Sequence, residues 1–290
     1  MLNNLRDLPR ALTFSAVLAA LVAVLVGYTG PLLIVVEAAQ NAGLNDHQLS
    51  SWITAITVGS GLCALILSLR YRQPILAAWP AAGAALLATS LVQYPYPEAI
   101  GAFVMAAIGL IVLGWSGLFG RVIDQVPRSV IAGMLAGVLV RFGLGVFRAL
   151  PTDPLLVGVM LLTYLVLRRY KVRAPSIGTL VAGLVVAALA GQVHLAEISL
   201  ALTTPVLTWP VFSLRALLGL SIPLFILANV SQNAPGLAVL RSFGYQLRPD
   251  GPILVTGAVS LLTAPFGGSG FALAAITAAL CAGPEAHPDP

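Results

Sequence analysis

Uncharged hydrogen-bonding side chains set into long apolar runs are the residues of this sequence best placed to do chemistry. The densest group is Ser231, Gln232 and Asn233 in PLFILANVSQNAPGL (223–237), followed at once by Pro235 and Gly236. Side-chain amides both donate and accept without carrying charge, which suits contact with a polar group of a bound molecule. In lipid, backbone groups need internal partners, so helix breakers beside a polar cluster are tolerated only where they are buried in protein or line a cavity. The sequence therefore predicts a broken helix here. Gln232 and Asn233 either meet a substrate or tie down backbone groups freed by Pro235. The pattern recurs near the N-terminus, where 31–44 reads PLLIVVEAAQNAGL, and both copies place Gln-Asn-Ala nine residues after the proline. For Gln40 and Asn41 the structural role fits better, because Glu37 to Asp46 reads as the outer end of a span.

Two further stretches combine proline with small residues. QPILAAWPAAGAALLATS (73–90) brackets a short extended piece between Pro74 and Pro80, and TAPFGGSGFALAAITAAL (263–280) again runs from proline through small residues into a helix. Two short strands leading into half-helices would aim two helix N-termini at one point, where free N–H groups and positive dipole ends suit a carboxylate. Ser269 is expected near the second terminus, and Trp79 or Phe266 against an aromatic ring. Pro80, Gly268 and Gly270 belong to the same candidate site. The alternative is that Gly267, Gly268 and Gly270 only permit close packing. Arg141, inside GVLVRFGLG, is either the counter-ion of an anion or a snorkelling side chain. Glu37 is either a carrier of a coupling proton or an ordinary loop carboxylate.

The elements that must position these residues follow from composition. The chain has 290 residues, 59% of them hydrophobic and 9% charged, against roughly 25% charged in soluble domains; its mean hydropathy is +0.97. It reads as an all-α polytopic membrane protein. Candidate spans, each needing about 20 apolar residues, lie near 11–36, 51–69, 74–93, 99–119, 129–147, 154–169, 175–192, 214–231, 252–265 and 268–283. Arginines fall mostly in alternate loops: Arg6 and Arg10, Arg70 and Arg72, Arg121 and Arg128, Arg168 to Arg173, Arg241 and Arg248. The bias of basic residues to the cytoplasmic side then predicts that the N-terminus and residue 290 are both cytoplasmic. The two Gln-Asn copies sit in spans of opposite orientation, as in inverted-repeat transporters with discontinuous helices. This divides the chain into a first repeat at 1–195, a linker at 196–213 and a partial second repeat at 214–290. The second repeat stops after three spans, so the sequence is expected to be a fragment.

Enzyme chemistry finds no support. His47, His194 and His287 fall in loops or the tail, the glycines of 267–270 are not followed by Gly-Lys-Ser/Thr, and no His-Glu-x-x-His or nucleophile elbow occurs. Cys63 and Cys281 sit in apolar runs as packing residues. No cofactor, metal or nucleic-acid partner is expected.

SQNAPG (231–236), AGMLAGVLVRFG (132–143), AAITAALC (274–281) and PEAHPD (284–289) give the chain a resemblance to the benzoate membrane transporters, the benzoate:proton symporters of the BenE family. That resemblance covers essentially all residues. It implies a seven-plus-seven inverted repeat related to nucleobase and sulfate transporters. A core domain from spans 1–4 and 8–10 would hold the site and move against a gate domain from spans 5–7. It implies import of benzoate or a similar aromatic carboxylate with a proton, in the inner membrane. Gln232 or Asn233, and Ser269, would face the substrate, and their lack of charge suits an anion. A homodimer stays open. The alternatives are a nucleobase or inorganic-anion carrier of the same architecture, and a truncated membrane protein that does not transport.

Overall fold

The computed structural model describes residues 13–29, 31–125, 144–170, 175–192 and 203–283, with a few isolated positions besides. Among these, four helices are long and apolar enough to cross a membrane: Phe14–Asn41, Asp46–Tyr71, Tyr96–Ser116 and Leu214–Ser242. The first comprises α1 (Phe14–Thr29) and α2 (Pro31–Asn41). α3 (Asp46–Tyr71) opens with a reciprocal cap, in which the Gln48 N–H donates to Asn45 Oδ1 at 2.9 Å and the Asn45 N–H donates to Gln48 Oε1 at 3.2 Å. It ends at Arg72, whose φ of 55° turns the chain out of the helix. Then come β1 (Ala77–Ala78), α4 (Ala81–Ser90), α5 (Tyr96–Ser116) and α6 (Leu118–Asp124). α7 (Pro154–Arg169) and α8 (Pro175–Leu189) pack together as a hairpin. α9 (Leu214–Ser242), α10 (Asp250–Thr263), β2 (Ala272–Leu273) and α11 (Ile276–Ala282) follow.

The centre is an antiparallel pair between β1 and β2, with Ala77 opposite Leu273 and Ala78 opposite Ala272. Alanine at three of the four positions lets helices close over both strands. Trp52, Ile56, Phe103, Leu220, Leu237 and Phe271 are buried around them. Close packing rests on glycine where backbones meet. A Cβ on Gly114 of α5 would lie 2.6 Å from the Leu254 nitrogen of α10, and one on Gly59 of α3 would lie 2.1 Å from the Phe271 ring. Residues 203–213 run extended across the helix ends. The Val206 N–H donates to Ser51 Oγ, Thr208 N–H to the Pro265 carbonyl and Val211 N–H to the Pro97 carbonyl, at 2.8–2.9 Å.

Three expectations need correction. The helix through 223–237 is not broken, for α9 is continuous from Leu214 to Ser242. It meets its prolines by widening: π-helical turns at Leu217–Ser221 and Asn229–Asn233 come just before Pro223 and Pro235. A proline lacks an N–H and crowds the carbonyl one turn back, and a π turn relieves that crowding without ending the helix. Secondly, the first apolar run does not end before Glu37, because α2 carries it on to Asn41. Thirdly, the short strand and half-helix expected in the tenth region are present, but Ser269 is not at the half-helix start. β2 occupies the middle of that region and α11 starts only at Ile276, so Ser269 lies before the strand and away from the helix start. Gly267 and Gly270, with φ of 99° and 109°, turn the chain there, and only glycine adopts such angles at little cost.

Candidate functional site

Beside the strand pair lies a half-open cavity of about 320 Å3, at the lower end of the range for small-molecule sites. α1 contributes Ala20, Ala23, Val24, Gly27 and Tyr28; α3 contributes Thr57, Ser60, Gly61 and Ala64. β1 and its flanks supply Leu76 to Trp79, and α11 supplies Thr277. The position of each wall follows from local sequence. Thr57, Ser60, Gly61 and Ala64 recur at i, i+3, i+4 and i+7, one helical face. Pro80 ends the extended piece and starts α4, which no side chain caps.

The lining is apolar with a few hydroxyl and indole groups. The Tyr28 and Trp79 rings meet edge-to-face with centroids 5.1 Å apart, a favourable aromatic arrangement. The Tyr28 hydroxyl also bonds the Thr57 side chain. Ser60 Oγ and Trp79 Nε1 are buried without a protein hydrogen-bond partner, and an unpaired buried donor costs about 1–3 kcal/mol. Trp79 is only 4% exposed. An aromatic ring would fit the apolar wall that Trp79 and Tyr28 form. No acid or base appears among the described lining residues.

Of the residues singled out in the sequence, the structure brings Trp79 to this cavity, with Pro80 next to it in the chain. Gln232 and Asn233 stand behind β2 instead. Asn233 is fully buried; its Oδ1 accepts from the Leu273 N–H at 2.8 Å, and its Nδ2 donates to Asn229 Oδ1 at 3.0 Å. The Ala275 N–H donates to Gln232 Oε1 at 3.4 Å. These amides thus hold the strand–helix junction that carries Thr277. Asn41 does similar work at the first copy, donating to the Ala88 carbonyl of α4 at 3.0 Å. Phe266 ends a 3-10 turn at Ala264–Phe266, and Gly268, Ser269 and Gly270 lie on the irregular segment between it and β2. Glu37 is exposed on α2, apart from the cavity, and Arg141 lies outside the described residues. Tyr28, Thr57, Ser60 and Thr277 were not singled out; the signal for two of them was a pair of hydroxyls three residues apart within an apolar span.

Comparison with known proteins bears on what such a site serves. The family model described as benzoate membrane transport protein, BenE, matches residues 10–290. The inner membrane protein YdcO of Escherichia coli strain K12 is 40% identical over 273 residues, covering 94% of this chain and 70% of that protein. The benzoate membrane transport protein of Acinetobacter baylyi is 36% identical over 288 residues, covering 99% and 73% respectively. The family and the Acinetobacter relative are proteins of membrane transport, not enzymes. With a match across nearly its whole length, this chain belongs to the BenE family of benzoate membrane transport proteins.

Proposed function

We propose that this protein carries benzoate or a similar aromatic carboxylate into the cell together with a proton, by alternating access. The observation that carries the reading is the cavity at β1, where Trp79 and Tyr28 offer an aromatic wall and Ser60 Oγ and Trp79 Nε1 lack partners. The ring packs against Trp79, and the carboxylate accepts from Trp79 Nε1, Ser60 and Thr277. Neutral donors suit this task, since a cationic lining would slow release of the anion. Gln232 and Asn233 act on the site through β2, whose backbone they hold. The seven-plus-seven inverted repeat is part of the proposal. So are the core and gate divisions and the cytoplasmic placement of the N-terminus and residue 290. On this reading the gate side would meet the cavity-bearing side where α8 contacts α1.

The test is uptake of labelled benzoate by proteoliposomes under an imposed proton gradient. Saturable accumulation that a protonophore abolishes, and that Trp79→Ala greatly reduces, is the expected result. Accumulation indifferent to the protonophore refutes the coupling. Competition by uracil or sulfate, with none by substituted benzoates, refutes the substrate class.

A further inference from the structure

Two glycines of α3 stand close in sequence and differ in what a side chain would meet. A Cβ on Gly59 would collide with the Phe271 ring at 2.1 Å, so packing requires glycine there. A Cβ on Gly61 meets no atom within 4 Å. Gly61 does not have a positive φ either, and glycine inside a helix weakens it relative to alanine. Neither packing nor backbone conformation accounts for glycine at 61. Gly61 is exposed and lines the cavity beside Ser60 and Ala64, so the space over it is the cavity's open side. Gly27 behaves differently across the same cavity: a Cβ there would be in ordinary contact with Thr277, 3.6 Å from its methyl group. Trp79 and Tyr28 form the aromatic wall of the same cavity. The indole Nε1 of Trp79, a residue 4% exposed that lines this cavity, has no partner.

We propose that Gly61 sets how large a ring substituent the cavity accepts, so that the protein binds ring-substituted aromatic carboxylates such as methylbenzoates alongside the unsubstituted acid. This rests on reading the cavity as an aromatic-carboxylate site. The free volume over Gly61 takes the substituent, while the carboxylate and ring keep their contacts with Trp79. Filling that volume from the protein side removes the place for the substituent and leaves room for the bare ring. Gly61 is thus a specificity-determining residue.

The experiment is calorimetric titration of the purified full chain with benzoate, 3-methylbenzoate and 4-methylbenzoate, for wild type, Gly61→Ala and Gly61→Val. Wild type is expected to bind benzoate and at least one methylbenzoate with affinities within about tenfold of each other, the lower end of what one methyl group is worth in a pocket. Gly61→Val should then weaken that methylbenzoate by about tenfold or more beyond any change for benzoate, with Gly61→Ala between. Alanine strengthens a helix interior, so it supplies a folded comparison even where valine disturbs α3. A methylbenzoate-to-benzoate ratio that is the same in all three proteins overturns the role of Gly61 and leaves the substrate reading standing. Wild type that binds benzoate but rejects both methylbenzoates overturns it as well. Wild type that binds no aromatic carboxylate overturns the substrate reading, and this inference with it.

Discussion

Replacing Asn233 by alanine removes two hydrogen bonds at once, at 2.8 Å from the Leu273 N–H and at 3.0 Å to Asn229 Oδ1. An ordinary side-chain bond between membrane helices is worth only about 0.6 kcal/mol. Asn233 is a different case, because it is fully buried and its oxygen serves a backbone N–H of β2. Losing it leaves that donor at its desolvation cost, about 1–3 kcal/mol. We expect Asn233→Ala to destabilise by about 2 kcal/mol on that basis. Gln232→Ala breaks one longer bond, 3.4 Å and only partly buried, and should cost less than about 1 kcal/mol. Cys63 supplies the assay, being fully buried in α3. In a Cys281→Ser background, a maleimide dye labels it only on unfolding, so labelling during a thermal ramp gives a midpoint. Asn233→Ala should lower that midpoint by about 4–8 °C and clearly more than Gln232→Ala does. Equal midpoints for the two variants would refute the assignment of Asn233 as the pin that holds β2.

Other perturbations follow from the same contacts. Gly114→Ala places a methyl group 2.6 Å from the Leu254 backbone nitrogen, and backbone cannot swing aside. The α5–α10 contact should be lost and folded yield should collapse on size-exclusion chromatography, while Gly61→Ala stays folded. At the start of α7, Asp153 accepts from Gln192 Nε2 at 2.9 Å and from the Leu156 N–H at 3.0 Å. These bonds, the Gln192 one foremost, hold its carboxyl below the usual carboxylate value. A lowered folded value means that its stabilising effect is present above the unfolded value and fades as pH falls through the folded one. Acidification through that window should therefore loosen the α7–α8 hairpin in hydrogen exchange, and Asp153→Asn should remove that pH dependence.

The legible and illegible parts of this fold separate by range. Long apolar runs are visible in any window of the sequence, so α3, α5, α7 and α8 appear where such runs predict them. The extended pieces at 77–78 and 272–273 were also foreseeable, because Pro74 and Pro80 exclude helix around the first, and three glycines precede the second. Side-chain partners were not. Nothing local to SQN says that Asn233 will hold a strand residue 40 positions on, since that contact exists only once β2 is paired and α9 is packed behind it. The π turns were equally hidden, for proline announces a disturbance without saying whether the helix will break or widen. The cavity is the most distributed feature of all. It draws its wall from α1, α3, β1 and α11, and of its lining only Trp79 stood out in the sequence.

The two-residue pairing of β1 with β2 has a consequence for how the protein is made. Ala77 pairs with Leu273, so about two thirds of the 290-residue sequence is synthesised between the two. Until Leu273 arrives, β1 presents backbone N–H and carbonyl groups that lipid cannot satisfy. Long-range pairing of this kind is slow to form, and a chain waiting for it exposes an unpaired edge open to misassembly. The nascent protein must therefore shelter β1, either among its own early helices or within the insertion machinery, until the second strand emerges. Every described residue of the cavity before Thr277 is then synthesised before there is a cavity, which closes only once α11 has emerged.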